Sequence, residues 1–262
     1  MKLSIDHQTI YRYEDAVRHS IQYLRLTPKA SARQQVFNWD LCLPHPARAQ
    51  VDPYGNILHV LTMENPHDAI VITAKGEVEI DEQSECETAI ESVLPYLRFT
   101  RLTQANEALH AFAYAATKAR THRNALIDLA LALGEHMAYC PGATTVNSTA
   151  VEAFAGHAGV CQDHTHAFLA CARSLKVPAR YVSGYLYTDD ETHLASHAWA
   201  EAWVDDAWYS FDVTNALMRP ERHLKLAIGM DYLDACPVRG MRSGGGSELM
   251  HARVLVSSMA FQ

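Results

Sequence analysis

The hydrophobic period of this chain changes near residue 98, and that change limits the folds open to it. Before it lie short runs rich in aromatic and β-branched residues, at 9–13, 20–26, 35–41, 56–61 and 69–73. Thr27-Pro28 and Asp52-Pro53-Tyr54-Gly55-Asn56 are turn signals between them. After it, Ala and Leu recur at helical spacing over 105–119 and 124–140, where Cys140-Pro141-Gly142 is a stop. Strands followed by helices predict an α+β chain. Residues 1–98 are expected to form an N-terminal antiparallel β-domain, a sheet or sandwich. Residues 99–262 are expected to form a second domain, with 82–95 as the connection. The run Ser243-Gly244-Gly245-Gly246-Ser247 reads as a flexible turn ahead of a last strand at 253–256.

The second domain carries the chemistry. Gly159-Val160-Cys161-Gln162-Asp163 leads into a predicted helix that runs to about Leu175, with Val177-Pro178 closing it. Cys161 stands at the helix start, where unpaired N–H groups and the helix dipole favour a thiolate. Asp163 in the first turn suits the same dipole in a structural role. Further on, residues 197–204 alternate, with His197, Trp199, Glu201 and Trp203 on one face. A turn at Asp205-Asp206 and a strand from Trp208 to Val213 complete a hairpin. A two-residue turn sets Asp212 opposite Trp199, on the face of His197 and diagonal to it. A three-residue turn without a bulge sends Asp212 to the other face. Cys161, His197 and Asp212 are the parts of a thiol acyl-transfer site: nucleophile, base and the acid that orients the base. The Cys161 backbone N–H is a candidate oxyanion donor, and the sequence names no second one.

These motifs have a family likeness. Gly159-Val160-Cys161-Gln162-Asp163, Pro178-Ala179-Arg180-Tyr181-Val182-Ser183-Gly184-Tyr185, Ser196-His197-Ala198-Trp199-Ala200-Glu201 and Phe211-Asp212-Val213-Thr214-Asn215 resemble the core motifs of bacterial transglutaminase-like proteins. The strand-rich N-terminal region is similar to the β-domain that accompanies them. The resemblance implies a papain-like core of helices packed on an antiparallel sheet. It places Cys161, His197 and Asp212 as the catalytic residues. It also implies a peptide or protein amide as substrate, with a primary amine as a possible acceptor. Members of the family include cross-linking enzymes, amidases and cysteine proteases, so transfer and hydrolysis both stay open. Many members carry an aromatic residue where His164 stands, and many carry Pro where Val213 stands.

Other readings compete. His164, one turn from Cys161, and Trp199, on the His197 face, are candidate substrate-binding residues. Glu201 on that face needs a partner, and Arg180 is the candidate. The 15 histidines, with Asp163-His164-Thr165-His166 and the His193/His197 spacing, invite a metal. No zinc spacing or calcium loop supports one, and the chemistry requires no cofactor. A non-catalytic peptide-binding module is the rival from outside enzymes.

The net charge of -8, with no long basic run, argues against nucleic acid or an anionic membrane as partner. The six cysteines show no tight pairing pattern and the first residues lack an apolar signal core. Free thiols in the cytoplasm are the expectation. Oligomeric state is not legible.

Overall fold

The computed structural model describes residues 1–88, 92–188 and 196–259. One strand organises the N-terminal half. β1 (Lys2–Thr27) spans both of the first two expected strands. β2 (Gln34–Cys42), β3 (Arg48–Val51), β4 (Ile57–Met63) and β5 (His67–Ile80) follow it. β5 pairs the first half of β1 and β4 the second half, end to end along one edge. β2 then adds to β5, and β3 to β4. Residues alternate along β1, and Leu3, Ile5, Leu24 and Leu26 are buried on one face.

The second half begins with a short two-residue strand, β6 (Cys86–Glu87), and a 3₁₀ turn at Leu94–Leu97. Then come α1 (Glu107–Thr117), α2 (Arg123–His136), β7 (Ala138–Tyr139), α3 (Ala150–Gly156) and β8 (Ala158–Gly159). α4 (Cys161–Ser174), β9 (Ala179–Leu186), β10 (Ser196–Val204), β11 (Ala207–Phe211), β12 (His223–Gly229) and α5 (Tyr232–Ala235) complete it. The sheet order is β12-β9-β10-β11-β6, antiparallel throughout. α4 lies across β10 and β9, with Phe168 stacked 4.9 Å from Phe211. α2 stops at His136, before the expected Cys140-Pro141-Gly142, because Ala138 and Tyr139 pair in parallel with β8. α3 was not expected. A capping box between Thr149 and Glu152 starts it.

The expected division at residues 98 and 99 is overturned for the C-terminus. β13 (Val238–Gly244) and β14 (Glu248–Ser258) return to the N-terminal sheet and lie end to end along the other edge of β1. The glycine run is therefore a break in a straight edge, not a reversal. It sits opposite Glu14 and Asp15, whose N–H groups donate to the carbonyls of Ser247 and Gly245. Gly245 has φ of +98°, and a Cβ there would lie 2.5 Å from Val17 Cγ2, so a side chain is excluded.

Side-chain amides join the two sheets. Gln34 pairs with both backbone groups of Lys225 at 2.8 and 2.9 Å. Asn56 pairs in the same way with Ile228, at 2.8 Å each. The outer edge of β12 is thus satisfied where it meets the other unit, and no backbone group is buried unpaired at these two positions. Tyr185, Leu224 and Leu226 join the N-terminal core across the same seam. Arg173, fully buried, donates to the carbonyls of Tyr96, Ala179 and Met230 and to Thr103 Oγ1, which ties the end of α4 to three neighbouring segments. No helix among the described residues is long and apolar enough to cross a membrane.

Candidate active site

The site assembles at one end of the second sheet. Cys161 is the first residue of α4. The helix start is organised by Asp163, whose Oδ2 accepts from the Val160 N–H at 2.8 Å and from Thr144 Oγ1 at 2.6 Å. Parallel pairing of Tyr139 with Gly159 holds the approach to Cys161. A cleft of about 170 Å³ opens here, lined by Cys161, His197, Tyr139, Ser196, Thr214 and Asn215 among others.

The hairpin adopts the two-residue turn. Val204 pairs with Ala207, and Asp205 and Asp206 both take positive φ, at 50° and 58°. The register carries Asp212 to His197, and His197 Nε2 lies 2.8 Å from Asp212 Oδ2. With Nε2 committed, Nδ1 is the ring nitrogen left for Cys161, which lines the same cleft. Burial pushes the His197 imidazole down, but hydrogen bonds to Asp212 and Cys161 and the charges of both outweigh it and raise its pKa to about 10. The ring is therefore an imidazolium at neutral pH. Burial pushes the Asp212 carboxyl up, and its bonds to His197 and His223 overcome this and hold it well below the usual carboxylate range.

Two residues completing this arrangement had no role assigned from sequence. Asn215 donates from Nδ2 to Asp212 Oδ2 at 2.9 Å and from its backbone N–H to Oδ1 at 3.2 Å. His223, at the start of β12, has Nε2 3.0 Å from Asp212 Oδ2. Asn215 was visible inside the aspartate motif. His223 belongs to no motif, and only the pairing of β12 with β9 brings it near.

Two expected substrate contacts are corrected. Trp199 is only 1% exposed. It stacks beneath His197 at 6.3 Å, packs 4.8 Å from the His223 ring and lies over Gly184, where a Cβ would come within 2.8 Å of its ring. It shares the His197 face, as expected, but that face is covered there. His164 is buried as well, and its Nδ1 meets Thr214 Oγ1 at 3.0 Å, so it supports a cleft residue rather than lining the cleft. Glu201 finds the expected partner, with Arg180 Nε at 2.7 Å, and adds Lys225 Nζ at 2.5 Å.

The histidines of the sequence-level metal reading do not converge. His164 turns to Thr214, and His166 Nε2 accepts from the Tyr232 N–H. His193 lies outside the described residues. His197, Asp212 and His223 do have ligand atoms within 4.8 Å of one another. A divalent cation there would have to displace the protons that now join them. A larger cavity, about 340 Å³, lies at the seam between the sheets, lined by Tyr54, Arg180, Trp208 and Lys225 among others. Its Arg180 and Lys225 are engaged by Glu87 and Glu201, and no cysteine or histidine among the described residues lines it.

Residues 3–79 match the bacterial transglutaminase-like N-terminal region, and residues 110–213 match the transglutaminase-like superfamily. An uncharacterised protein of Mycobacterium leprae (strain TN) is 30% identical over 278 aligned positions, covering 99% of each chain. An uncharacterised protein of Mycobacterium tuberculosis (strain ATCC 25618 / H37Rv) is also 30% identical, over 90% of this chain and 86% of its own length. The crystal structure of a candidate cysteine protease from Cytophaga hutchinsonii superposes with a TM-score of 0.79 at 21% identity, covering 100% of this chain and 92% of that one. At that identity the likeness speaks for the fold. Matched in both halves and aligned end to end with its mycobacterial relative, the chain belongs to the bacterial transglutaminase-like family.

Proposed function

We propose that this protein is a cysteine acyltransferase acting on amide substrates, peptide or glutaminyl, through a thioester acyl-enzyme. The observation that carries the reading is the cleft that Cys161, at a helix start, shares with His197, whose Nε2 is held by a buried Asp212. In the first step the Cys161 thiolate adds to the amide carbonyl. The backbone N–H of Cys161 is the candidate donor to the developing oxyanion. The C–N bond then breaks as His197 gives its proton to the leaving amine, which leaves a thioester. In the second step a primary amine attacks the thioester, loses a proton to His197 and releases the Cys161 thiolate as the new amide forms, which restores the starting pair. Asp212 keeps the ring in the tautomer and orientation both steps require. Neither step calls for a cofactor.

Water in place of the amine gives hydrolysis by the same residues. The likeness to a chain described as a candidate cysteine protease favours keeping that reading second. The test supplies a glutaminyl peptide with and without an excess of a labelled primary amine. Label in the product supports transfer, and free acid alone supports the peptidase or amidase. Cys161 alkylation, mapped by peptide analysis, separates both from a binding module. An enzyme should show rapid labelling that slows in His197→Ala, whereas a binding module should show slow labelling unaffected by the substitution.

A further inference from the structure

His223 is buried to 3% exposure, and no residue of the proposed reaction mechanism has yet made use of it. Asp212 Oδ2 receives donors from His197, His223 and Asn215, at 2.8, 3.0 and 2.9 Å. Three donors saturate one carboxylate oxygen. The two imidazoles thus compete for the same charge. Their roles differ because their other nitrogens differ. The second nitrogen of His197 is left for Cys161, with which it shares the cleft. Nδ1 of His223 is buried with no hydrogen-bond partner among the described residues. A proton there would be a buried charge without an acceptor, so His223 is held neutral, with Nε2–H as its donor. Burial is also the main cause that pushes its pKa down, against the upward pull of Asp212. The charged groups that reach it are Asp212 beyond β11, His197 on β10 and Arg33 just ahead of β2. The edge contact with the Trp199 ring fixes its plane.

We propose that His223 is a positioning residue: by donating to Asp212 Oδ2 it fixes the carboxylate and divides its charge, and so sets the pH range over which His197 can give up its proton. The proposal rests on the acyl-transfer reading of Cys161, His197 and Asp212. Without the second donor, Asp212 bears more fully on His197. The imidazolium then keeps its proton to higher pH and returns it less readily to the leaving amine.

The test compares wild type, His223→Leu and His223→Gln, the last keeping an N–H donor at the place of Nε2. Three quantities are measured: the His197 titration midpoint by ¹⁵N-histidine NMR, the pH profile of kcat/KM on a glutaminyl peptide, and Cys161 alkylation. In His223→Leu the midpoint and the upper limb of the profile should both move up, and kcat should fall roughly tenfold. His223→Gln should restore all three toward wild type. A folded His223→Leu with an unmoved midpoint and limb would overturn the proposal. If His223→Leu does not fold, the wild-type spectrum decides. A neutral His223 ring carrying its proton on Nε2 supports the proposal, and a doubly protonated ring at neutral pH rejects it. Alkylation that ignores His197 in wild type would instead refute the acyl-transfer reading, and the proposal with it.

Discussion

Asp212 concentrates the electrostatics of the site on one oxygen. It is 1% exposed and retains its charge only because hydrogen-bond donors surround it. Asp212→Asn keeps the shape but removes the charge that holds His197 as an imidazolium. Turnover should fall by roughly 10²- to 10⁴-fold with the fold intact, measured as kcat against thermal unfolding. The same groups set how stability responds to pH. His197 is raised from 6.5 to about 10 on folding, so its contribution is complete below 6.5 and disappears as pH climbs through about 10. Asp212 and Glu201 are lowered on folding, so their contributions exist above the ordinary carboxylate range and disappear as pH falls through their folded values. Tm measured from about pH 3 to about pH 11 should show a plateau that declines at both ends. His197→Gln should lessen the alkaline decline and leave the acidic one; what alkaline decline remains comes from Cys171, Cys236, Tyr181 and Tyr185, whose pKa values burial raises. Among single residues, the His197–Asp212 pair was legible because strand alternation fixes which side chains share a face; alternation also showed that Glu201 needs a partner, but the pairing of β9 with β10 is what sets Arg180 opposite it. Burial of Trp199 was not, because alternation is silent on what covers that face.

The hairpin of β10 and β11 shows how much one element decides. Its two-residue turn needs positive φ at both Asp205 and Asp206, a conformation Gly or Asn adopts more readily than Asp. Replacing the pair by Asn-Gly should raise stability by about 1 kcal/mol and leave activity unchanged, read from denaturant unfolding and amine incorporation. Inserting one glycine between them would move Asp212 to the other face of the sheet, because a strand repeats every two residues. That variant should keep its helices by circular dichroism and lose activity entirely. Retained activity would disprove the register argument. α4 is equally local in origin: its start at Cys161 and its end before Pro178 follow from a first-turn Asp and a proline stop. α3 escaped notice because its seven residues are too short to establish a helical period, although Thr149 and Glu152 do carry the signature of its cap.

At the scale of the molecule the two sheets are interdependent. β13 and β14 complete the N-terminal sheet from the C-terminus, and Gln34 and Asn56 complete the edge of β12 from the N-terminal side. A fragment of residues 99–262 would expose Leu224, Leu226 and Tyr185 and leave both C-terminal strands without β1. It should aggregate or unfold without a sharp transition, whereas the full chain should unfold in one cooperative step by calorimetry. An independently folded, active fragment would contradict this. By itself the sequence determined the strand-then-helix order, the placement of Cys161 at a helix start and the hairpin that brings Asp212 to His197. These depend on local period, caps and turn length, all of which are written in neighbouring residues. The tertiary structure alone decided that Trp199 and His164 are covered, that His223 reaches Asp212 and that the C-terminus closes the first sheet. Those outcomes come from contacts between residues far apart in the chain, and such contacts leave no period or spacing in either partner.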